Sequence, residues 1–116
     1  MDFQLTDEQQ AAKELAREIA EREILPVAAA CDREHTFPGD IIEKVRQAGL
    51  YNYAVPEEYG GIGAGILIGV LVTEQFAWAC AGIATSIAIN SLAADPILVA
   101  GSEEQRRHYF AQVLLP

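Results

Sequence analysis

The sequence predicts an all-α fold, a five-helix up-and-down bundle, and three observations carry that reading. Apolar residues recur at helical spacing, two capping boxes mark helix starts, and no stretch alternates apolar with polar residues as a strand would. The 116 residues suit one domain spanning 1–116, large enough to bury roughly two-thirds of its unfolded surface.

Thr6-Asp7-Glu8-Gln9 is the first capping box: the Thr6 hydroxyl can accept from the Gln9 amide while the Gln9 side chain reaches back. Ala12, Leu15, Ala16, Ile19 and Ala20 form the apolar stripe behind it, with Glu14, Arg17, Glu18, Glu21 and Arg22 on the wet face. This helix should run to about Asp32, bent where Pro26 removes an amide. A second helix should begin at Pro38, bury Ile41, Ile42 and Val45, and end on Gly49 as a left-handed cap. Residues 51–65 read as loop, because Pro56 and four glycines break any period. A third helix is expected from about Ile66 to Ala81, with the break at Gly82. The fourth follows to Ala100, with Pro96 kinking or restarting it. Ser102-Glu103-Glu104-Gln105 is the second capping box, opening a fifth helix whose apolar face carries Tyr109, Phe110 and Val113. The chain is apolar to its last residue, Val113-Leu114-Leu115-Pro116, which predicts a cut at a domain boundary.

Charge excludes one class of partner. Seventeen acidic residues against eight basic ones give a net charge of −9, which repels a phosphate backbone, so no nucleic acid is expected. Cys31 and Cys80 have neither CxxC nor zinc-ligand spacing, and read as two buried thiols in a reducing compartment. The N-terminus has no basic start and no apolar run, so the expected location is cytoplasmic, or an organelle matrix if a presequence was removed. Residues 75–94 carry no charge and are long enough to cross a bilayer. Their polar Gln75, Thr85, Ser86, Asn90 and Ser91, and the lack of a basic anchor, favour two fully buried helices over a membrane span.

No catalytic constellation is visible. Gly60-Gly61-Ile62-Gly63-Ala64-Gly65 misses the G-x-G-x-x-G spacing and no strand precedes it, so it reads as a tight loop entering a helix. His35 and His108 have no ligand-spaced neighbours, and no metal site is expected. Glu57 and Glu58 read as solvated. The fourth helix is more informative. Ala81, Ala84, Thr85, Ala88 and Leu92 share one face, and Ile83, Ile87, Asn90 and Ala94 the opposite one. A stripe of small side chains either lets another helix approach closely or lines a cavity for an apolar ligand. Asn90 must find hydrogen-bond partners if buried.

At this point the sequence resembles a known family. Pro56-Glu57-Glu58-Tyr59-Gly60-Gly61-Ile62-Gly63, after Ala48-Gly49-Leu50, is similar to the loop after the second helix of acyl-CoA dehydrogenases. Thr85-Ser86-Ile87, Asn90-Ser91-Leu92 and Pro96-Ile97 resemble their fourth helix, and Ala100-Gly101-Ser102-Glu103-Glu104-Gln105-Arg106 with Tyr109 the start of their fifth. Phe3, Leu5, Thr6-Asp7-Glu8-Gln9 and Ile24-Leu25-Pro26-Val27-Ala28 fit the same family, so the likeness runs in order through essentially the whole chain.

The resemblance implies the N-terminal helical domain of an FAD-dependent enzyme, without the middle β domain and C-terminal helical domain. In such enzymes a glutamate takes a proton from the carbon next to the thioester and hydride from the next carbon passes to the flavin. Electrons then leave to electron-transfer flavoprotein. Those groups belong to the later domains, so no catalytic residue and no cofactor-binding residue is assigned here, and the chain alone is expected to be inactive and to bind no FAD. The resemblance also implies a parent that takes acyl-CoA and forms a homo-oligomer.

What carries over is a wall of the acyl tunnel, on which Thr85 and Leu92 match tunnel-facing positions and Ala84 and Ala88 stand where medium-chain relatives have Gln and Glu. The small stripe then reads as cavity wall, more apolar and roomier, with the bulk of Ile89 acting the other way. Leu50, Ile62 and Val72 match apolar positions of a partner surface for electron-transfer flavoprotein, although Leu50 and Val72 also read as ordinary core. Two alternatives stay open: a stand-alone, non-enzymatic helical interaction module, and the same domain in a flavin oxidase or monooxygenase.

Overall fold

Both capping boxes form as the sequence requires, and they fix where the first and last helices start. A computed structural model describes residues 3–113 of the chain. Helix α1 spans Asp7–Ile19, with the Thr6 amide donating to Gln9 Oε1 at 3.0 Å and the Gln9 amide to Thr6 Oγ1 at 3.2 Å. The rod continues through a π turn, Ala20–Ile24, into α2, Leu25–Glu34. The turn lies directly before Pro26, where the expected bend is taken up by a wider hydrogen-bonded ring, the Leu25 amide reaching back to Ala20. His35 ends the rod in the left-handed conformation, φ 53°.

Helix α3 spans Gly39–Gln47 with Pro38 as its cap residue, and Gly49 ends it at φ 74°. The Leu50 amide donates to the Val45 carbonyl and that of Gly49 to Arg46, at 3.1 and 3.0 Å, the paired bonds of a Schellman cap. The loop that follows contains one 3₁₀ turn, Glu57–Tyr59. Helix α4 spans Gly65–Ala79, α5 Ala81–Ala100 and α6 Glu103–Val113. With α1 and α2 forming one rod, there are five rods among the described residues. The Val113 side chain and residues 114–116, part of the expected apolar tail, lie outside the described residues, as do Met1 and Asp2.

The break between α4 and α5 falls at Cys80, not at Gly82. Cys80 is extended, φ −162° and ψ 113°, a conformation open to any residue, so the corner needs no glycine. Its amide closes α4 on the Phe76 carbonyl and its own carbonyl opens α5 by accepting from Ala84, both at 3.0 Å.

The main core joins Ala16, Ala20 and Ile24 of the first rod to Val45, to Ile68, Val72 and Phe76 of α4, and to Ile83 and Ile87 of α5. A second cluster of Val55, Ala94 and Phe110 holds the loop and α6 against the end of α5. The molecule measures 42 × 41 × 21 Å, about two helices thick. That thickness corrects the expectation that α4 and α5 are fully buried. Each is apolar on all sides, yet Ile66, Leu67, Val70 and Trp78 of α4, and Ile89, Leu92 and Val99 of α5, are exposed. Among the described residues α5 alone is long and apolar enough to cross a bilayer by length and composition, and 22% of that stretch is buried here. A slab of two layers has no third layer to cover the outer faces. Cys31 and Cys80 are free and half-buried rather than buried.

Candidate functional site

Helix α5 is positioned by its inward face. Ile83, Ile87 and Ala94 are buried in the two cores, and the Asn90 side-chain amide donates to Asn52 Oδ1 at 3.4 Å. This anchors the helix and turns the small stripe outward. Ala84 belongs to the main core, 3% exposed, whereas Ala88 is half-buried, Thr85 is exposed and Leu92 is 71% exposed.

These four residues line one groove of about 340 Å³, completed by Ala81 and Ile89 of α5 and by Thr73 and Ala77 of α4. Thr85 Oγ1 donates to the Ala81 carbonyl at 2.8 Å and Ser86 Oγ to that of Gly82 at 3.1 Å. With the Thr85 hydroxyl tied to its own helix, the groove is almost wholly apolar and fits a hydrocarbon chain. The sequence did not single out Thr73 and Ala77. They lie one turn apart, but α4 is apolar all round, and its pattern marks no preferred face.

Two further hollows adjoin this groove. One of about 730 Å³ shares Thr73 and Ala77 with it and runs between α4 and the second half of α5, over Tyr53 and Gly69. There the ring of Tyr53 lies against the backbone of Gly69, and its hydroxyl shares a hydrogen bond with Thr73 Oγ1 at 3.2 Å. The other, about 480 Å³, lies across α5 and shares Thr85 and Ile89. It is bounded by Phe37, Ile42, Glu43, Tyr51 and Asn90. Burial, and then Tyr109, pushes the Tyr51 phenol up. Glu43 is held down to about 2, first by its hydrogen bonds with Arg46 (2.8 Å to each carboxylate oxygen) and then by Gln47.

The three residues expected at a partner surface separate. Leu50, 5% exposed, and Val72, fully buried, belong to the main core. Val72 has no surface to offer a docked partner and Leu50 very little, whereas Ile62, 46% exposed, stands at a surface. The Leu50 burial follows from its place in the Schellman cap, where it packs with Val45.

The glycine loop does not fit a phosphate or a flavin diphosphate. The amides of Gly60, Gly61, Gly63 and Ala64 donate to the carbonyls of Glu57, Pro56, Val55 and Tyr53 at 2.8–3.1 Å, so they are turned into the loop itself. A Cβ at Gly61 would lie 2.0 Å from the Val55 carbonyl oxygen; its glycine serves a close crossing of the chain over itself. Among the described residues no three His, Cys, Asp or Glu side chains gather as a metal site.

Residues 6–114 match the family model described as "Acyl-CoA dehydrogenase, N-terminal domain". The acryloyl-CoA reductase (NADH) of Anaerotignum propionicum is 39% identical over 113 residues, covering 97% of this chain and 29% of that protein. The short-chain specific acyl-CoA dehydrogenase of Clostridium acetobutylicum is 37% identical over 111 residues, covering 94% and 29%. The solved butyryl-CoA dehydrogenase of Megasphaera elsdenii matches with a TM-score of 0.87 at 30% identity, over 98% of this chain and 31% of that one. A chain from a study of the electron transferring flavoprotein of Acidaminococcus fermentans and flavin-based electron bifurcation matches at 0.88 and 36% identity, over 98% and 30%. This chain therefore spans about three-tenths of the length of these relatives. A match over nearly every residue, together with the shared helical architecture, establishes that the chain belongs to the acyl-CoA dehydrogenase family, as its N-terminal domain.

Proposed function

We propose that this domain forms one wall of the acyl site in an FAD-dependent acyl-CoA dehydrogenase that removes hydrogen from the two carbons next to an acyl thioester. The observation that carries this is the α4/α5 groove, which gathers Ala84, Thr85, Ala88 and Leu92 against Thr73 and Ala77 in a protein of this family. Each methylene buried there is worth about 0.8 kcal/mol. An apolar wall thus binds the tail and fixes where the reacting carbons stand. The catalytic glutamate and the flavin contacts are assigned to the rest of the enzyme, and this chain alone is proposed to be inactive and to bind no flavin. The inward-turned amides of the glycine loop support the latter.

Electron-transfer flavoprotein is proposed as the redox partner, with Ile62 at its docking surface, and a homo-oligomeric parent is proposed with it. A cytoplasmic or organelle-matrix location is proposed as well. A second reading runs the same reaction backwards, as reduction of an unsaturated acyl-CoA. The 39% identity to an acryloyl-CoA reductase favours it, and the groove serves either direction.

The test is Ala88→Phe in the full-length enzyme, read as the ratio of kcat/KM for long and short acyl chains. Excluding about three methylenes costs about 2.4 kcal/mol, so that ratio should fall roughly 50-fold. If the stripe instead faces a packed neighbour, the change overpacks the site by about 1–3 kcal/mol. Melting temperature would then fall and the ratio would not move, which overturns the proposal.

A further inference from the structure

Arg17 of α1 is stacked on Trp78 of α4, its guanidinium carbon 4.0 Å from the centre of the indole. Six of the eight Lys and Arg side chains form ion pairs, whereas Arg17 and Lys13 have neither an ion pair nor a hydrogen bond among the described residues. In a chain with seventeen acidic residues this is not for want of carboxylates. Glu14, on the neighbouring turn, takes the Gln10 side-chain amide at 2.7 Å instead. Stacking occupies the flat face of the guanidinium and leaves its N–H groups, which lie in its plane, without an acceptor. Arg17 and Lys13 are half-buried and one turn apart on α1, so their charges stand on one face of the helix. Trp78 is 54% exposed, and none of the hollows described above is lined by these three residues.

We propose that Arg17, with Lys13 and Trp78, is a docking point for a carboxylate-bearing segment of a partner protein, separate from the acyl groove and from the Ile62 loop. A guanidinium fork matches a carboxylate with two parallel N–H···O bonds, and the indole holds that fork in place before anything binds. The Trp78 surface that Arg17 leaves open suits an apolar side chain next to the acid. The net charge of −9 selects the kind of partner. It repels an extended polyanion such as a nucleic acid or an anionic membrane. A short segment whose acids meet only Arg17 and Lys13 escapes most of that field, because at physiological salt exposed charges are largely screened beyond about 8 Å.

Trp78 is the chain's one tryptophan and serves as the reporter. The 116-residue chain is titrated with an acetylated, amidated peptide containing Asp-Leu-Glu, with its Asn-Leu-Gln counterpart and with inorganic phosphate, following tryptophan emission. The acidic peptide should give a saturable change, the uncharged counterpart none, and phosphate a weaker one. Arg17→Gln should weaken peptide binding about tenfold to a hundredfold, the loss expected of a charge-assisted pair. Arg17→Lys should recover only part of it, because an ammonium is a point charge without the fork, and Lys13→Gln should cost a few-fold. Circular dichroism checks that each variant is folded. No saturable change with the acidic peptide, equal binding of the uncharged one, or full affinity in Arg17→Gln overturns the proposal. Phosphate binding as tightly as the peptide would make this a general anion site and overturn the peptide assignment. Self-association in analytical ultracentrifugation that Arg17→Gln abolishes would put a second copy of this chain there, and would overturn it too. If Arg17→Gln does not fold, Arg17→Lys decides, and full affinity in that variant overturns the proposal.

Discussion

Gly69→Ala should destabilise the domain, although a glycine inside a helix ordinarily gains about 0.5–1 kcal/mol when replaced by alanine. Gly69 is in the middle of α4, and a Cβ built there would lie 2.2 Å from Tyr53 Cε2 and 3.0 Å from Cδ2 and Cζ. Tyr53 cannot simply swing away. It is 9% exposed, belongs to the main core, and is tied through its hydroxyl to Thr73. Overpacking of this kind costs about 1–3 kcal/mol, and losing the Tyr53–Thr73 hydrogen bond about 0.5–1.5 kcal/mol more. Steric cost outweighs the helix-propensity gain, and the net loss should be about 1–3 kcal/mol. For a domain of this length about 1 kcal/mol shifts the midpoint by roughly 4 °C, so Tm should fall by about 4–12 °C. Thermal unfolding followed by far-ultraviolet circular dichroism reads it. A Tm equal to or above that of the unaltered protein would show that Tyr53 does not rest on Gly69, and the floor of the 730 Å³ hollow would be wrongly drawn.

Thr6→Ala and Ser102→Ala each remove the side-chain acceptor of a capping box, bonded at 3.2 Å in both. Each should cost about 1 kcal/mol, and Ser102→Gly only a few tenths, checked by the same melts. The Glu43 carboxyl, pulled down to about 2 by Arg46 and then Gln47, gives a contribution that is complete above the usual carboxylate pKa of 4.5 and is lost as pH falls from there through about 2. Nuclear magnetic resonance titration of the Glu43 carboxyl carbon should show that low midpoint, and Arg46→Ala should move it up towards 4.5. A midpoint unaffected by Arg46→Ala would refute the cause.

What was legible in the sequence was local. Thr6 with Gln9, Ser102 with Gln105, and Gly49 with Leu50 each satisfy backbone groups within a few residues, so their types and spacing announce the geometry. The face shared by Ala84, Thr85, Ala88 and Leu92 was legible too, because helical spacing alone puts them together. The corner at Cys80 was not. An extended residue has no compositional signature, and the nearby Gly82 drew the break to itself. The extent of exposure on α4 and α5 was hidden for a different reason. An apolar residue reads the same whether its cover comes from this chain or from elsewhere, so Trp78, inside the uncharged run 75–94, read as buried. Leu50 and Val72 failed in the opposite sense, an apolar match to a surface position that this packing turns inward. The 480 Å³ hollow across α5 joins residues from Phe37 to Asn90, a meeting of distant segments that spacing along one helix cannot reveal.

The central claim is that the outward stripe of α5 lies against the acyl chain. The most direct measurement uses the full-length enzyme and an acyl-CoA carrying a photoreactive diazirine at the tip of its chain, with the labelled peptide mapped by mass spectrometry after irradiation. The account predicts labelling within residues 84–92 of α5 or at Thr73 and Ala77, suppressed by an excess of unlabelled substrate. Substrate-protected labelling confined to other parts of the enzyme, with this stretch untouched, would contradict it.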